Sequence, residues 1–194
     1  MPTPAEDAKA LHVLLPTGAA TAATVPQAQT YDRRLAISAA FATTSGTMTM
    51  TGINLAGGTV VTAITFVSGA TAESGGTNLW FALYRADTLA LMAQSTNDTG
   101  AAAFAANTAL RKALTAPQTC PYTGLYYLAY MSTNSAGAQP TLLCVTSAIA
   151  NNLGSITGMT PILAATSTTG LTSAAPATAG ALTTITQCLY GFVD

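Results

Sequence analysis

Between Gly46 and Val193, short apolar runs alternate with polar positions and break at clusters of Gly, Asn, Ser and Pro. That is the pattern of strands with a covered face, separated by turns. The runs predict strands at Gly46 to Ile53, Thr59 to Ser68, Asn78 to Arg85, Leu89 to Ser95, Thr108 to Leu114, Gly124 to Met131, Thr141 to Ser147 and Thr183 to Val193. About eight strands with no helical period between them predict an all-β fold, a jelly-roll-like antiparallel β-sandwich.

Side-chain alternation gives the expected faces. In the second run Val60, Ile64 and Phe66 share one face. In the third, Leu79, Phe81 and Leu83 alternate with Trp80, Ala82 and Tyr84, so both faces are apolar and the strand is expected to be central or covered. The run from Gly124 sets Leu125, Tyr127, Ala129 and Met131 against Tyr126, Leu128 and Tyr130. Cross-strand packing is the plainer reading of those rings, and an outward tyrosine row that stacks on a ligand is the other.

The pattern changes before Tyr31 and again after Ser147. Thr3 as cap, Pro4 at the first helical position, Glu6 completing the capping box and Pro16 as terminator predict a short N-terminal helix, with Ala8, Leu11, Leu14 and Leu15 on one side. So short a helix is marginal alone in water and calls for something to dock against. Thr17 to Thr30, rich in Ala, Thr, Gln and Pro, reads as an extended arm. Residues 1–30 are thus expected to be a helix and anchoring arm, and residues 31–194 a β-sandwich domain with a long neutral loop at 148–181. The apolar islands of that loop are Ile156 and Pro161, Ile162 and Leu163. It reads either as a contact surface for a neighbour or as an Ω-type loop lying over its own sandwich.

Composition narrows the function. The chain has six basic and seven acidic side chains and one histidine in 194 residues, and none of these from Ala113 to Val193. General acid–base work, metal ligation and phosphate clamping draw on those groups, so a non-enzymatic protein with no cofactor and no metal is expected. Glu73, Asp87 and Asp98 fall in predicted loops, where a carboxylate pair or a calcium site is conceivable, but nothing in their spacing demands either. Asn97-Asp98-Thr99-Gly100 is first a turn signal. His12 has no second histidine to share a metal with, and Cys120, Cys144 and Cys188 lack ligand spacing and read as buried thiols.

Partners follow from charge. A net charge of −1 gives little repulsion between copies and favours a homo-oligomer. The basic residues Lys9, Arg33, Arg34, Arg85, Arg111 and Lys112 are too scattered to line a phosphate backbone, so no nucleic acid is expected. No run approaches the roughly 18 apolar residues of a membrane-crossing helix, and Glu6 and Asp7 give the N-terminus the wrong charge for a secretory signal, so neither membrane nor secretion is expected. Asp32-Arg33-Arg34 is the one dense charge cluster. Candidate anchoring contacts are Leu11, Leu14, Leu15, Arg33 and Arg34, and candidate loop contacts are Ile156, Pro161, Ile162 and Leu163.

The segments Val61-Thr62-Ala63-Ile64-Thr65-Phe66-Val67, Leu79-Trp80-Phe81-Ala82-Leu83-Tyr84, Gln94-Ser95-Thr96-Asn97-Asp98, Phe104-Ala105-Ala106-Asn107-Thr108 and Tyr122-Thr123-Gly124-Leu125-Tyr126-Tyr127 carry a resemblance. Pro161-Ile162-Leu163 and Ser167-Thr168-Thr169-Gly170-Leu171 extend it. Together they resemble a β-rich module of structural proteins in tailed bacteriophages, notably those of actinobacteria. The likeness covers most of the chain from about Tyr31 and brings no catalytic motif. It implies a virion component: a head decoration (minor capsid), minor tail or fibre protein, made in the host cytoplasm and carried on the particle's exterior. In place of the large shaft or baseplate domain of such proteins, this chain has a short helix and an arm, which favours a small capsid decoration. Its implied partners are further copies of itself, as a trimer, and the major capsid protein or a neighbouring virion protein. The alternative is a minor tail or tail-fibre module that recognises host-surface carbohydrate.

Overall fold

A computed structural model describes residues 27–100, 102–145 and 161–194. The predicted N-terminal helix, His12, Leu11, Leu14, Leu15 and Ile156 lie outside the described residues.

The described chain is almost wholly antiparallel β-sheet. Its strands are β1 (Ala28–Gln29), β2 (Ile37–Ala42), β3 (Met48–Leu55), β4 (Val60–Val67), β5 (Gly76–Arg85), β6 (Leu91–Gln94), β7 (Ala109–Thr119), β8 (Gly124–Asn134), β9 (Thr141–Val145), β10 (Ala164–Ser167), β11 (Thr183–Thr184), β12 (Cys188–Leu189) and β13 (Gly191–Val193). A single 3-10 turn spans Arg33–Leu35.

The pairing defines the wrap. β2 pairs with β9, β3 with β8, β4 with β7 and β5 with β6, the successive rungs of one long hairpin. That hairpin is rolled so that β8 also pairs with β5, and Ser68, one residue past β4, bridges Leu142 of β9. The strands form three hydrogen-bonded sheets, two of which, holding β2-β9 and β4-β7, are tied by that single bridge; the result is two layers, β3-β8-β5-β6 and β2-β9 beside β4-β7, which is the jelly roll expected from the strand count. The first layer is widened by β10 and β11 beside β3. The second is joined by β13 on β4, β1 on β13 and β12 on β9.

Two cores follow from the alternation on β5 and β8. Leu79, Phe81, Leu83, Tyr126, Leu128 and Tyr130 face the other layer and meet Ile64, Phe66, Leu142 and Val193. Phe66 makes edge contacts with Phe81 at 5.0 Å and Tyr130 at 5.9 Å between ring centroids, the arrangement that the ring quadrupoles favour. The opposite face of the same strands, with Met48, Met50, Trp80, Ala82, Tyr84, Tyr127, Ala129 and Met131, is equally buried. It is covered by the chain's own segment from Thr168 to Leu182, which carries Leu171, Ala175, Ala179 and Leu182. Trp80 Nε1 donates to Thr172 O at 2.8 Å and the Tyr84 hydroxyl to Pro176 O at 2.8 Å. Leu91 N donates to Ala177 O and Ala179 N to Leu89 O, both at 2.9 Å. β5 is therefore covered on both sides, as its two apolar faces predict, and the described part of the 148–181 segment is a strap over its own sheet.

Three features depart from the sequence reading, besides strands β2 and β10, which it does not predict. Val60 is 43% exposed and Val61 buried, because a bulge at Thr62 shifts the period: Thr62 N and Ala63 N both donate to Asp194 O, at 2.6 and 3.0 Å. The expected strand from Thr183 to Val193 is broken into β11, β12 and β13, which pair with three different partners. Gln27 to Thr30, read as arm, is joined to the C-terminal strand: Gln27 N donates to Val193 O and Thr30 N to Gly191 O, both at 2.9 Å. The rings of Tyr126, Tyr127 and Tyr130 are all buried, as the cross-strand packing reading expects, and β8 presents no outward tyrosine platform.

Candidate functional site

The described surface has one feature the wrap itself creates. Past the Ser68–Leu142 bridge, β4 and β9 separate, and the chain from Cys188 to Val193 passes between them, first on β9 and then on β4. Where the layer splits, a crevice of about 570 Å³ opens, lined by Gln29, Arg33, Asn107, Leu143, Tyr190 and Phe192 among others. The Tyr190 and Phe192 rings lie 6.1 Å apart. The Tyr190 hydroxyl donates to Gln29 Oε1 at 3.1 Å, which leaves the Gln29 amide N–H groups available. Asn107 holds a positive φ of 53°, a conformation asparagine tolerates better than most residues.

Charge at the crevice comes down to one guanidinium. On the 3-10 turn the Asp32 side chain accepts from Arg34 N at 3.0 Å, capping the turn, and pairs with Arg34 Nη2 at 2.6 Å. Those bonds hold the Asp32 carboxyl at about 2, below the ordinary carboxylate range. Arg33, its neighbour, makes no ion pair among the described residues. The cluster singled out in the sequence thus divides into a self-neutralised Asp32–Arg34 pair and a single available cation. The pair is exposed, with Arg34 88% accessible, so Arg34→Ala is expected to leave the thermal unfolding midpoint unchanged in a melting scan.

A second groove, of about 190 Å³, is lined by Tyr31, Leu35, Leu125, Val145, Leu163 and Cys188 among others. Leu35 is 46% exposed, and the Tyr31 hydroxyl has no hydrogen-bond partner among the described residues. Burial, then the neighbouring Cys144, Cys188 and Tyr190, push the Tyr31 hydroxyl well above its ordinary pKa. No disulfide joins Cys120, Cys144 and Cys188.

The loop carboxylates separate between the two ends of the sandwich. Asp87 lies in the turn after β5, paired with Arg85 at 2.5 Å. Glu73 and Asp98 come together at the start of β5: Glu73 N donates to Phe104 O at 2.8 Å, and Leu79 exchanges backbone hydrogen bonds with Asp98. Asp98 Oδ1 accepts from Gly100 N at 2.9 Å, as the turn signal predicts, and Lys112 Nζ lies 3.5 Å from Oδ2. Glu73 is 2% exposed, and neither of its carboxylate oxygens has a hydrogen-bond partner among the described residues. Burial first and the Asp98 charge second raise its carboxyl to about 7; the Phe104 and Ala103 amides and Lys112 pull the other way without closing a hydrogen bond. A raised carboxyl beside an ionised one is an acid–base pairing in principle. Here Glu73 packs so closely on Gly76 that a Cβ there would lie 2.8 Å from its carboxyl carbon, and neither crevice is lined by it. Among the described residues no three His, Cys, Asp or Glu side chains gather where they could hold a metal ion.

Of the other candidate contacts, Pro161 is exposed, while Ile162 and Leu163 turn onto their own sheet: the Tyr127 hydroxyl donates to Ile162 O and Gly52 N donates to Leu163 O at 2.7 Å. The crevice residues Gln29, Asn107, Tyr190 and Phe192 were not singled out in the sequence, since they lie on three separated segments and share no linear pattern. No protein family, curated protein or solved structure matches this chain.

Proposed function

We propose that the protein is a non-enzymatic structural component of a tailed-bacteriophage virion, a decoration on the exterior of the capsid that acts as a homotrimer and attaches through residues 1–26. The observation that carries this reading is the jelly-roll wrap, an architecture that builds viral capsid and lectin domains. Its support elsewhere is the sequence resemblance to phage structural modules and the scarcity of charge, which suits stable contact between copies. Glu73, the raised carboxyl, is 2% exposed and so offers little access to a substrate.

Because β1 is part of the sheet, the informative truncation removes residues 1–26 and leaves Gln27 in place. The truncated chain is expected to keep its far-UV spectrum and cooperative melt while losing occupancy on purified particles. Full occupancy after truncation would overturn attachment through this segment. A second reading, a tail or fibre module that holds host-surface carbohydrate, is favoured by the crevice at Arg33. Gold labelling of intact virions separates the two: many symmetric copies on the head support decoration, and a few at the tail tip support the second reading.

A further inference from the structure

We propose that the crevice where β4 and β9 part is a binding site for an acidic sugar, a uronic- or sialic-acid-type unit of a glycan, with Arg33 pairing its carboxylate. This gives the carbohydrate reading a ligand class, and it holds wherever on a particle the protein sits.

The size comes first. At about 570 Å³ the crevice lies in the range of small-ligand sites, enough for one or two hexose units. The lining is mixed in the way sugars require. Phe192 is part-exposed and Tyr190 packs beside it, giving apolar surface for the C–H face of a pyranose ring. Gln29 has amide N–H groups to spare because its Oε1 is occupied by Tyr190, and Asn107 sits at the rim with its side chain exposed. Amides of this kind answer hydroxyl groups, which both donate and accept.

The charge then selects among sugars. Among the described residues no Asp or Glu lines the crevice, and the nearest acidic residue along the chain, Asp32, is already paired with Arg34. Arg33 presents a planar fork of N–H donors that matches a carboxylate bidentately. An inorganic phosphate or a nucleotide fits less well, since a single cation with no glycine-rich loop offers little to a dianion. A lipid chain fits less well still, given the polar groups at Gln29, Arg33 and Asn107.

The arrangement is also anchored. Tyr190 is 3% exposed, its ring meets Tyr31 edge-on at 5.5 Å, and its backbone N donates to Leu143 O at 2.9 Å, so the floor is fixed by the same strands that make the split. Arg33 is held by its place in the capped turn rather than by its own side chain, which leaves the guanidinium to the ligand.

The test uses the full-length protein and paired glycosides: methyl glucuronide against methyl glucoside, methyl galacturonide against methyl galactoside, and methyl sialoside against its carboxyl-reduced analogue. Affinity is read by titration in NMR. At least one acidic member is expected to bind about tenfold or more tightly than its neutral counterpart, the effect of one charge-assisted contact. Arg33→Gln is expected to abolish that preference with an unchanged melt, because Arg33 is exposed and makes no ion pair among the described residues. Shifts should map to Phe192 and Asn107. The proposal is overturned if no acidic glycoside outbinds its partner, or if the preference survives in Arg33→Gln. Particle imaging is a separate measurement, so a negative result here leaves the virion reading standing, and the reverse also holds.

Discussion

Glu73→Gln is expected to raise the unfolding free energy at about pH 8 by roughly 2–3 kcal/mol and to flatten the pH dependence of stability. The folded carboxyl titrates at about 7 against an ordinary value of 4.5. Below 4.5 it is protonated whether the chain is folded or not, and it takes nothing from stability. As pH rises from 4.5 to 7 the unfolded chain ionises freely while the folded chain does not, so stability falls; above 7 the loss is complete. The full linkage is about 3 kcal/mol at about 1.4 kcal/mol per pKa unit. The amide recovers somewhat less, because it also lacks hydrogen-bond partners in that place. Urea unfolding of both proteins between about pH 5 and 8 checks this. Curves that coincide at pH 5 and diverge by pH 8 are the expected result, whereas parallel curves would mean that the carboxyl is ionised and satisfied in the fold.

Trp80→Ala is expected to cost about 4–5 kcal/mol, a large share of the roughly 5–15 kcal/mol that holds a domain folded. Trp80 is fully buried on the strap side of β5 and also supplies the hydrogen bond to Thr172 O. Truncation opens a cavity beneath the strap and removes one of its tethers together. Trp80→Phe separates the two effects: it keeps much of the apolar contact, loses the hydrogen bond, and should cost about 1–2 kcal/mol. Denaturant unfolding measures the first effect. Limited proteolysis measures the second, with both variants expected to be cut faster between Thr168 and Leu182 than the wild type. Equal cleavage rates would show that the strap is held by its backbone contacts alone.

Strands with a strong pattern were legible and weakly patterned ones were not. β5 and β8 announce themselves because large apolar side chains occupy both faces, and burial on both faces is what they receive. β2 and β10 have the sequences ISAAFA and AATS, in which small residues fit either face and leave no period to detect. The exposed Val60 follows from a bulge whose cause is the distant Asp194 carbonyl, a contact that no local window contains. Arg33 could be found because it stands in a dense charge cluster, but its separation from Arg34 depends on which of them Asp32 binds. Tyr190 and Phe192 looked like ordinary strand residues; their role in a crevice comes from the parting of β4 and β9. Glu73 was visible as a loop carboxylate, and its burial is set by Phe104 and Gly76 closing around it.

The rolled hairpin also dictates an order of events on the ribosome. β2 is made early, yet its partner β9 is about a hundred residues further on, and β3 and β4 likewise wait for β8 and β7. Of the eight core strands, only β5 and β6 have each other close at hand. Until β9 has emerged, half the sandwich is a set of open edges in search of a mate, the state most prone to pair with the wrong chain. Folding dominated by such distant pairings is slow, on a scale of about milliseconds to seconds. The strap comes after all eight core strands, and with it the cover over Trp80 and Tyr84, so a nascent chain stalled before Thr168 would expose its second core to whatever apolar surface is nearest.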